Sequence, residues 1–325
     1  MFDIITFGSA TWDIFLRPKN FETIKDKRFI SGKGVCFNLG SKIDVEDIYF
    51  SSGGGGTNTA ATFAKQGFKV AWCGVIGNDI AGREIVEELE NLRIDTQFVL
   101  KTRLKPTNHS VVLNTGPKKD RTILVYRGAS EEFSSKEIPW QLLRAKWFYL
   151  APFSGKAAEI TENIVDFAFK NKIKIALNPG NSQLSLPMAT LKRILKKVDV
   201  LFLNREEASL LTKIPYNKEK QIFKKLDEIC PNIAIMGSSK GITVSDGNRL
   251  YEAKSSLVKT VDKTGAGDAF ASGFVSGFIK KGDIEYGIQL GMANSSSCIQ
   301  KWGAKNGLLK EGDEFEKVKV IKKRL

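Results

Sequence analysis

From residue 146 onward the chain alternates between short apolar runs and longer mixed ones. Lys146–Leu150, Ile173–Leu177, Val200–Leu203 and Ile233–Met236 are apolar stretches of strand length. Between and after them, helices are expected near 155–171, 188–197, 204–212 and 217–229, then near 266–280 and 283–301. Strands separated by helices run parallel, and a parallel sheet is covered on both faces. The pattern predicts a three-layer α/β/α fold with a mainly parallel central sheet. Phe2–Phe7 reads as another buried strand. "GGGGTNTAATFAKQG" reads as a glycine turn feeding a helix, "KVAWCGVIG" as a strand, and "NDIAGREIVEELENL" as a helix capped by Asn78 or Asp79. "GITVSDGNRLYEA" reads as a hairpin turning at Asp246-Gly247.

Two segments depart from the alternation. Residues 14–51 and 97–128 carry short alternating stretches such as "EDIYFSS", "HSVVLN" and "RTILVY". They are expected to meet as a small antiparallel β-sheet over one edge, a lid. Residues 1–13, 52–96 and 129–325 then form the main α/β unit. No Pro/Gly/Ser-rich linker divides the chain, so lid and main unit make one domain. Unpaired lid edges seek partners, so a homodimer through the lid is expected.

Composition narrows the classes. The chain has 325 residues, 42% hydrophobic and 26% charged, an ordinary globular balance. No apolar run reaches membrane-spanning length, and "MFDIITFG" lacks the basic start of a signal peptide. Cys36, Cys73, Cys230 and Cys298 form no CxxC pair and stand apart from the single histidine, His109, which is read as structural. That spacing counts against a zinc site and a disulfide framework, and fits a cytoplasmic location. The net charge of +14 is spread along the chain, apart from the tail "KVKVIKKRL". Without a basic stripe, nucleic acid is not the expected partner. A positive field still favours small anionic ligands such as nucleotides.

Ligands of open α/β sheets bind beyond the carboxyl ends of the strands. The loops there hold four constellations. The first is "DKTGAGDAF". Gly265 and Gly267 can turn backbone N–H groups toward one point at a helix start, an anion site. Asp268 follows at once. It is either a first-turn carboxylate favoured by the helix dipole or a base awaiting a proton. Phe270, Phe274 and Phe278 mark that helix's apolar stripe, with Ala269, Gly273 and Gly277 allowing close packing. The second is "SSGGGGTNTAA", where Gly53 to Gly56 suit a ligand that meets backbone directly, with Asn58 in the following turn. The third is Asp13, either a turn residue or a carboxylate able to grip two hydroxyls of a polyol. The fourth is "LFLNREEASLL", where Asn204 and Glu207 either cap a helix or order a hydrated Mg²⁺. Neither a GxxxxGK[ST] loop nor a GxGxxG fingerprint is present, so the two commonest phosphate cradles are absent.

Together these motifs resemble the ribokinase family of carbohydrate kinases (PfkB-type) over nearly the whole chain. "DKTGAGDAF" looks like the family's C-terminal signature and "GGGGTNTAATFAKQGFKVAWCGVIGNDIAGREI" its N-terminal signature region. "NREE" is similar to its Asn-x-x-Glu element, and "MGSSKG" sits where the family has its nucleotide-loop glycines, Gly237 and Gly241. The resemblance implies a ribokinase-like fold and ATP-dependent phosphorylation of a hydroxymethyl group. It implies Asp268 as general base and the N–H groups of Gly265, Ala266 and Gly267 as an anion hole. Asn204 and Glu207 would organise Mg²⁺ through water. Asp13, Gly54, Gly55 and Asn58 would bind acceptor hydroxyls. The adenine would lie near Gly237–Gly241, around Asn294–Ser297 and Gly303–Ala304. A monovalent cation, K⁺ for example, would lie near Asp262 and Thr264.

Departures from the family pattern bear on the acceptor. Thr11 stands where ribokinases proper carry Asn, and Gly55 where they carry Lys. "APFSG" stands where they have a sugar-contacting Glu, and Lys263 replaces a usual Thr. The lid segment between Asp13 and Gly53 is also longer. These count against a strict ribose enzyme. Trp12 and Phe153 are either core residues or platforms for a base or sugar face. The acceptor expected first is a small sugar or sugar acid, and second a nucleoside of the adenosine, inosine or cytidine type. A silent binding protein or a nucleic-acid binder is the reading from another class; the intact Asp268 and its glycines count against silence.

Overall fold

In a parallel sheet, every strand must offer apolar side chains to both covering layers, and these strands do. The computed structural model describes residues 1–29, 32–114, 121–238 and 240–325; parts of both lid segments, and Ser239 of "MGSSKG", lie outside the described residues. The strands of the first half are β1 (Phe2–Phe7), β2 (Thr11–Pro18), β3 (Glu22–Lys25), β4 (Lys33–Cys36), β5 (Val45–Gly53), β6 (Val70–Gly77), β7 (Val99–Thr102), β8 (Asn108–Asn114) and β9 (Arg121–Tyr126). Those of the second half are β10 (Ala145–Leu150), β11 (Lys174–Leu177), β12 (Val200–Asn204), β13 (Ile233–Ser238), β14 (Gly241–Ser245), β15 (Arg249–Lys254) and β16 (Val320–Arg324). The helices are α1 (Gly55–Lys65), α2 (Ile80–Asn91), α3 (Ile160–Lys170), α4 (Asn181–Leu184), α5 (Met188–Leu195), α6 (Arg205–Thr212), α7 (Glu219–Ile229), α8 (Ala266–Lys281) and α9 (Ile284–Cys298).

Among the described residues, ten strands form the main sheet in the order β16-β15-β14-β13-β12-β11-β10-β1-β6-β7. From β13 to β7 neighbouring strands are parallel; β14, β15 and β16 add an antiparallel edge. Side-chain alternation sends Phe148 and Leu150 of β10 into one layer, with α3, α5, α6 and α7. It sends Tyr149 into the other, with α1, α2, α8 and α9. Each fully buried Phe or Ile here contributes about 1.5–3 kcal/mol. Helices α8 and α9 approach backbone to backbone. A Cβ at Gly273 would stand 3.0 Å from Gly291 Cα, and one at Gly277 3.0 Å from Gly287 Cα. The small residues of "DAFASGFVSGF" thus serve close packing, as their spacing indicates.

A second, separate sheet has four strands in the order β5-β2-β8-β9. Its central strands β2 and β8 run parallel, while β5 and β9 are antiparallel to their neighbours. It is therefore mixed rather than purely antiparallel. Strands β3 and β4 form a separate hairpin between β2 and β5. One boundary differs from the sequence reading, and one strand is not read from it. β7 pairs in parallel with β6, so residues 99–102 extend the main sheet. The "KVKVIKKRL" tail supplies β16, which pairs antiparallel with β15 (Leu250↔Lys323). Lysines on an outer edge strand discourage further strand addition.

Candidate active site

Two helix N-termini meet beyond the carboxyl end of β1. Helix α1 begins in the glycine run and α8 in "TGAGDAF". Asn58, in the opening turns of α1, donates from Nδ2 to Asp268 Oδ2 of α8 at 2.9 Å. Asn58 is 5% exposed, and its Oδ1 is buried with no hydrogen-bond partner among the described residues. Burial pushes the Asp268 carboxyl above the usual carboxylate range, and the Asn58 bond pulls it part of the way back. Asp268 is half-buried, and a Cβ on the neighbouring Gly267 would have nothing within 4 Å of it.

The turn before α8 is shaped by glycine and by an aspartate. Gly265 caps α8 in the left-handed region at φ 75°, and a Cβ there would collide with Ala304. Asp262 braces the turn: Oδ1 accepts from Thr264 N (2.9 Å) and Thr264 Oγ1 (2.8 Å), and Oδ2 accepts from Gly303 N (3.2 Å). The Ala266 N–H bonds weakly to Lys263 O at 3.3 Å. No backbone acceptor is found for the Gly265 and Gly267 N–H groups among the described residues, so these two are the donors available to an anion.

The glycine run serves protein packing more than the sequence suggests. A Cβ on Gly53 would strike Asp13 Oδ2, one on Gly54 (φ 96°) would strike Ser9 O, and one on Gly56 would meet Gly8 O at 2.8 Å. Gly55 is the member turned toward the chemistry: its Cβ position lies 3.6 Å from Asp268 Oδ1 and 3.1 Å from Pro152 Cδ.

Asp13 lies on β2 opposite Ser51 of β5, at the root of the small sheet. It is 7% exposed and accepts from Ser110 Oγ at 2.5 Å. Burial pushes its carboxyl up to about 6, against the Ser110 bond and the charge of Lys305, while Asp262 adds to the rise. Lys305 is 4% exposed. Its ammonium bonds Ser52 Oγ and lies 3.1 Å from Glu88 Oε2, and Ser52 also bonds Glu88. Burial lowers the Lys305 pKa, opposed by Glu88 and Asp13. The same loop reaches the small sheet elsewhere: Asn306 Nδ2 donates to Tyr49 OH at 2.7 Å, and Trp302 meets Phe15 edge-on at 6.0 Å. Nothing local in the sequence marks Lys305 or Ser110, since both act through residues far away in the chain.

Asn204 and Glu207 form a reciprocal capping box at the head of α6, each side chain bonding the other's backbone N–H at 2.8 Å. Burial raises the Glu207 carboxyl. Asn204 pairs in register with Gly237, so the ends of β12 and β13 lie side by side. Gly241 opens β14 directly across the turn. Among the described residues no group of three His, Cys, Asp or Glu side chains could cage a metal.

Asn294 is a correction. It is fully buried in α9, donating to Ala269 O (2.8 Å) and Thr62 Oγ1 (3.3 Å) and accepting from Leu309 N (2.8 Å). Its amide ties α1, α8 and the chain after α9 together and does not face the cleft. Phe153 is likewise core, packed on Phe133 at 5.8 Å. Trp12 is half-buried and stacks on Phe50 at 6.4 Å within the small sheet. His109 Nδ1 bonds Thr107 O at 2.8 Å, a local structural contact.

The model of the pfkB family of carbohydrate kinases matches residues 31–311. The chain belongs to that family. It is therefore a phosphotransferase with an alcohol group as acceptor. An uncharacterised sugar kinase from Archaeoglobus fulgidus is 27% identical over 251 residues, covering 77% of this chain and 99% of the relative. The ribokinase of Arabidopsis thaliana, solved with ribose and ATP, superposes with a TM-score of 0.77 at 22% identity, over 95% of this chain and 96% of that one. A nucleoside kinase of Methanocaldococcus jannaschii superposes with 0.74 at 18% identity, over 94% and 95%. These structural likenesses establish the ribokinase-like fold.

Proposed function

We propose that this pfkB kinase is an ATP-dependent sugar kinase that phosphorylates a hydroxymethyl group of a small sugar, with Asp268 as general base. The observation that carries it is the Asn58–Asp268 bond at the meeting of two helix N-termini. A carboxylate beside an anion-binding turn repels phosphate unless it has a proton to take.

Asp13 and Asn58 hold acceptor hydroxyls, with the backbone of Gly54 and Gly55 beside them. The acceptor oxygen attacks the γ-phosphorus as Asp268 accepts its proton. A new O–P bond forms, the bond from γ-phosphorus to the bridging oxygen breaks, and ADP leaves with that electron pair. The N–H groups of Gly265 and Gly267, with Ala266 between them, stabilise charge on the transferring group. Asn204 and Glu207 would hold a hydrated Mg²⁺, and that ion would supply neutralisation of phosphate charge. Gly237 and Gly241 border the nucleotide. Asp262 braces the anion turn and is the residue to which K⁺ would be drawn. The small sheet acts as a lid over Asp13.

Trp12, half-buried and stacked on Phe50 within the small sheet, favours a second reading, a nucleoside whose base lies against the lid. A screen of sugars and nucleosides with ATP and Mg²⁺ decides between them. Turnover confined to nucleosides overturns the first reading. Asp268→Asn is expected to lower kcat by about 10²–10⁴-fold while the fold is kept; near-normal turnover overturns the base assignment. The lid edges expose Ile48, Tyr49 and Phe50 on β5 and Ile123, Leu124 and Val125 on β9, which supports a homodimer through the lid. A monomer in sedimentation at working concentration would remove that assignment.

A further inference from the structure

One buried hydroxyl has no hydrogen-bond partner among the described residues, and it lies beneath the proposed base. Tyr149 of β10 is 0% exposed, and its OH is unpaired. Leaving a buried polar group unpaired costs about 1–3 kcal/mol, and a phenylalanine would fill nearly the same space without that cost. The position therefore asks for a reason.

Its surroundings supply one. Tyr149 stands next to Thr6 in the sheet, and Thr6 Oγ1 bonds Gly56 O at 3.0 Å, so this face of the sheet underlies the head of α1. The Tyr149 ring packs on Phe63 of α1 at 5.5 Å and on Phe202 of β12 at 6.4 Å. Phe202 in turn packs on Phe270 and Phe274 of α8. Tyr149 thus sits between the two helices that carry Asn58 and Asp268. The same junction holds one unpaired donor, the phenol O–H, and one unpaired acceptor, Asn58 Oδ1.

We propose that Tyr149 is a positioning residue for the base: its hydroxyl donates to one buried water, which in turn donates to the Asp268 carboxylate and to Asn58 Oδ1. This rests on the reading of Asp268 as base. A base must be ionised to accept a proton, and burial acts against ionisation. Asn58 is the single side-chain donor bonded to Asp268 among the described residues. A second donor would hold the carboxylate ionised and fix its direction. The charge of Asp268 is felt at the phenol, where it adds to burial in raising that pKa, so the hydroxyl keeps its proton to donate. Asn58 of α1 bonds Asp268, and the charge of Asp268 is felt at Tyr149 of β10 and at the Cys298 thiol of α9, which itself bonds Thr264 O and Ala304 O. Burial pushes that thiol up to about 12, so it stays neutral across the working range.

Tyr149→Phe tests the proposal by two readouts. The first is a ¹³C-carboxyl NMR titration of Asp-labelled protein, with the Asp268 signal assigned by its loss in Asp268→Asn. The second is the pH profile of kcat with ATP and the acceptor turned over best in the screen. Losing one hydrogen bond should move the Asp268 midpoint up by about 0.4–1 pH unit. At the acid limb kcat should fall by about 3–10-fold, with both KM values within about twofold of the parent. Midpoint and profile superimposing on the parent overturn the inference. Should Tyr149→Phe fail to fold, Tyr149→Leu, which also lacks the hydroxyl, carries the same test. If Asp268→Asn keeps turnover, the base assignment falls and Tyr149 with it. If Asp268→Asn is inactive and Tyr149→Phe is parent-like, the Tyr149 inference alone falls.

Discussion

Asp13→Asn should stabilise this protein while weakening acceptor binding. The folded-state carboxyl is pushed from 3.8 up to about 6, mainly by burial. A tenfold change in proton affinity is worth about 1.4 kcal/mol, so ionising Asp13 inside the fold costs about 3 kcal/mol at pH 8 relative to the unfolded chain. The sign follows from which state holds the proton. Between pH 3.8 and about 6 the folded state binds more protons, so stability is fully present below 3.8 and is lost as pH rises through 6. Asparagine is neutral throughout and still accepts from Ser110, so it removes the loss. At pH 8 the variant should gain about 1–3 kcal/mol, each kcal/mol appearing as about 2–4 °C in Tm. Near pH 4 the two proteins should melt together. Thermal melts from pH 4 to 8 read this directly. A Tm difference that is flat with pH, or a variant less stable at pH 8, would refute the burial argument. In the parent, acceptor kcat/KM should fall about tenfold from pH 8 to pH 5, where about one Asp13 in ten is ionised.

The anion turn and the buried lysine give two further tests. Gly265→Ala must place a side chain at φ 75° against Ala304. It should lose about 2–4 kcal/mol of stability together with activity. Gly267→Ala meets open space, so its Tm should hold while kcat falls; a matching Tm loss would show that the turn is not open. Glu88→Gln strands the ammonium of Lys305, which is 4% exposed, and should cost about 3 kcal/mol in a denaturant titration. Lys305→Met leaves behind a carboxylate that reaches water, with a side chain 36% exposed, and should cost less, about 1–2 kcal/mol. The reverse order would show that Lys305 is not the buried partner.

Where local pattern dictates structure, the sequence is informative. The strands from Lys146 to Met236 are apolar on both faces because both faces are covered, so they stand out as runs. Asp268 and Asn58 are legible because each follows glycines at a helix start. β16 is not, because lysines that protect an outer edge also make "KVKVIKKRL" read as a solvated tail. Strand β7 carries the alternation of the small sheet, yet its partner is β6, and pairing is a tertiary choice. The resemblance implies Asn294 near the adenine, but which face of α9 it occupies is set by how α8 packs. Lys305, Ser110 and Tyr149 matter through partners distant in sequence, and one lysine among 50 basic residues carries no local sign of it.

The antiparallel edge has a practical consequence. Strand β1 starts at the amino end of the parallel sheet. Three reversals of direction, at β14, β15 and β16, bring Leu325 back to that same end, where its N–H meets Asn248 O. Residues 1 and 325 therefore both point away from the cleft. An affinity handle or surface tether fixed at either residue would leave the carboxyl-end side of the parallel strands facing solution, so an immobilised sample should bind its ligands as the free protein does.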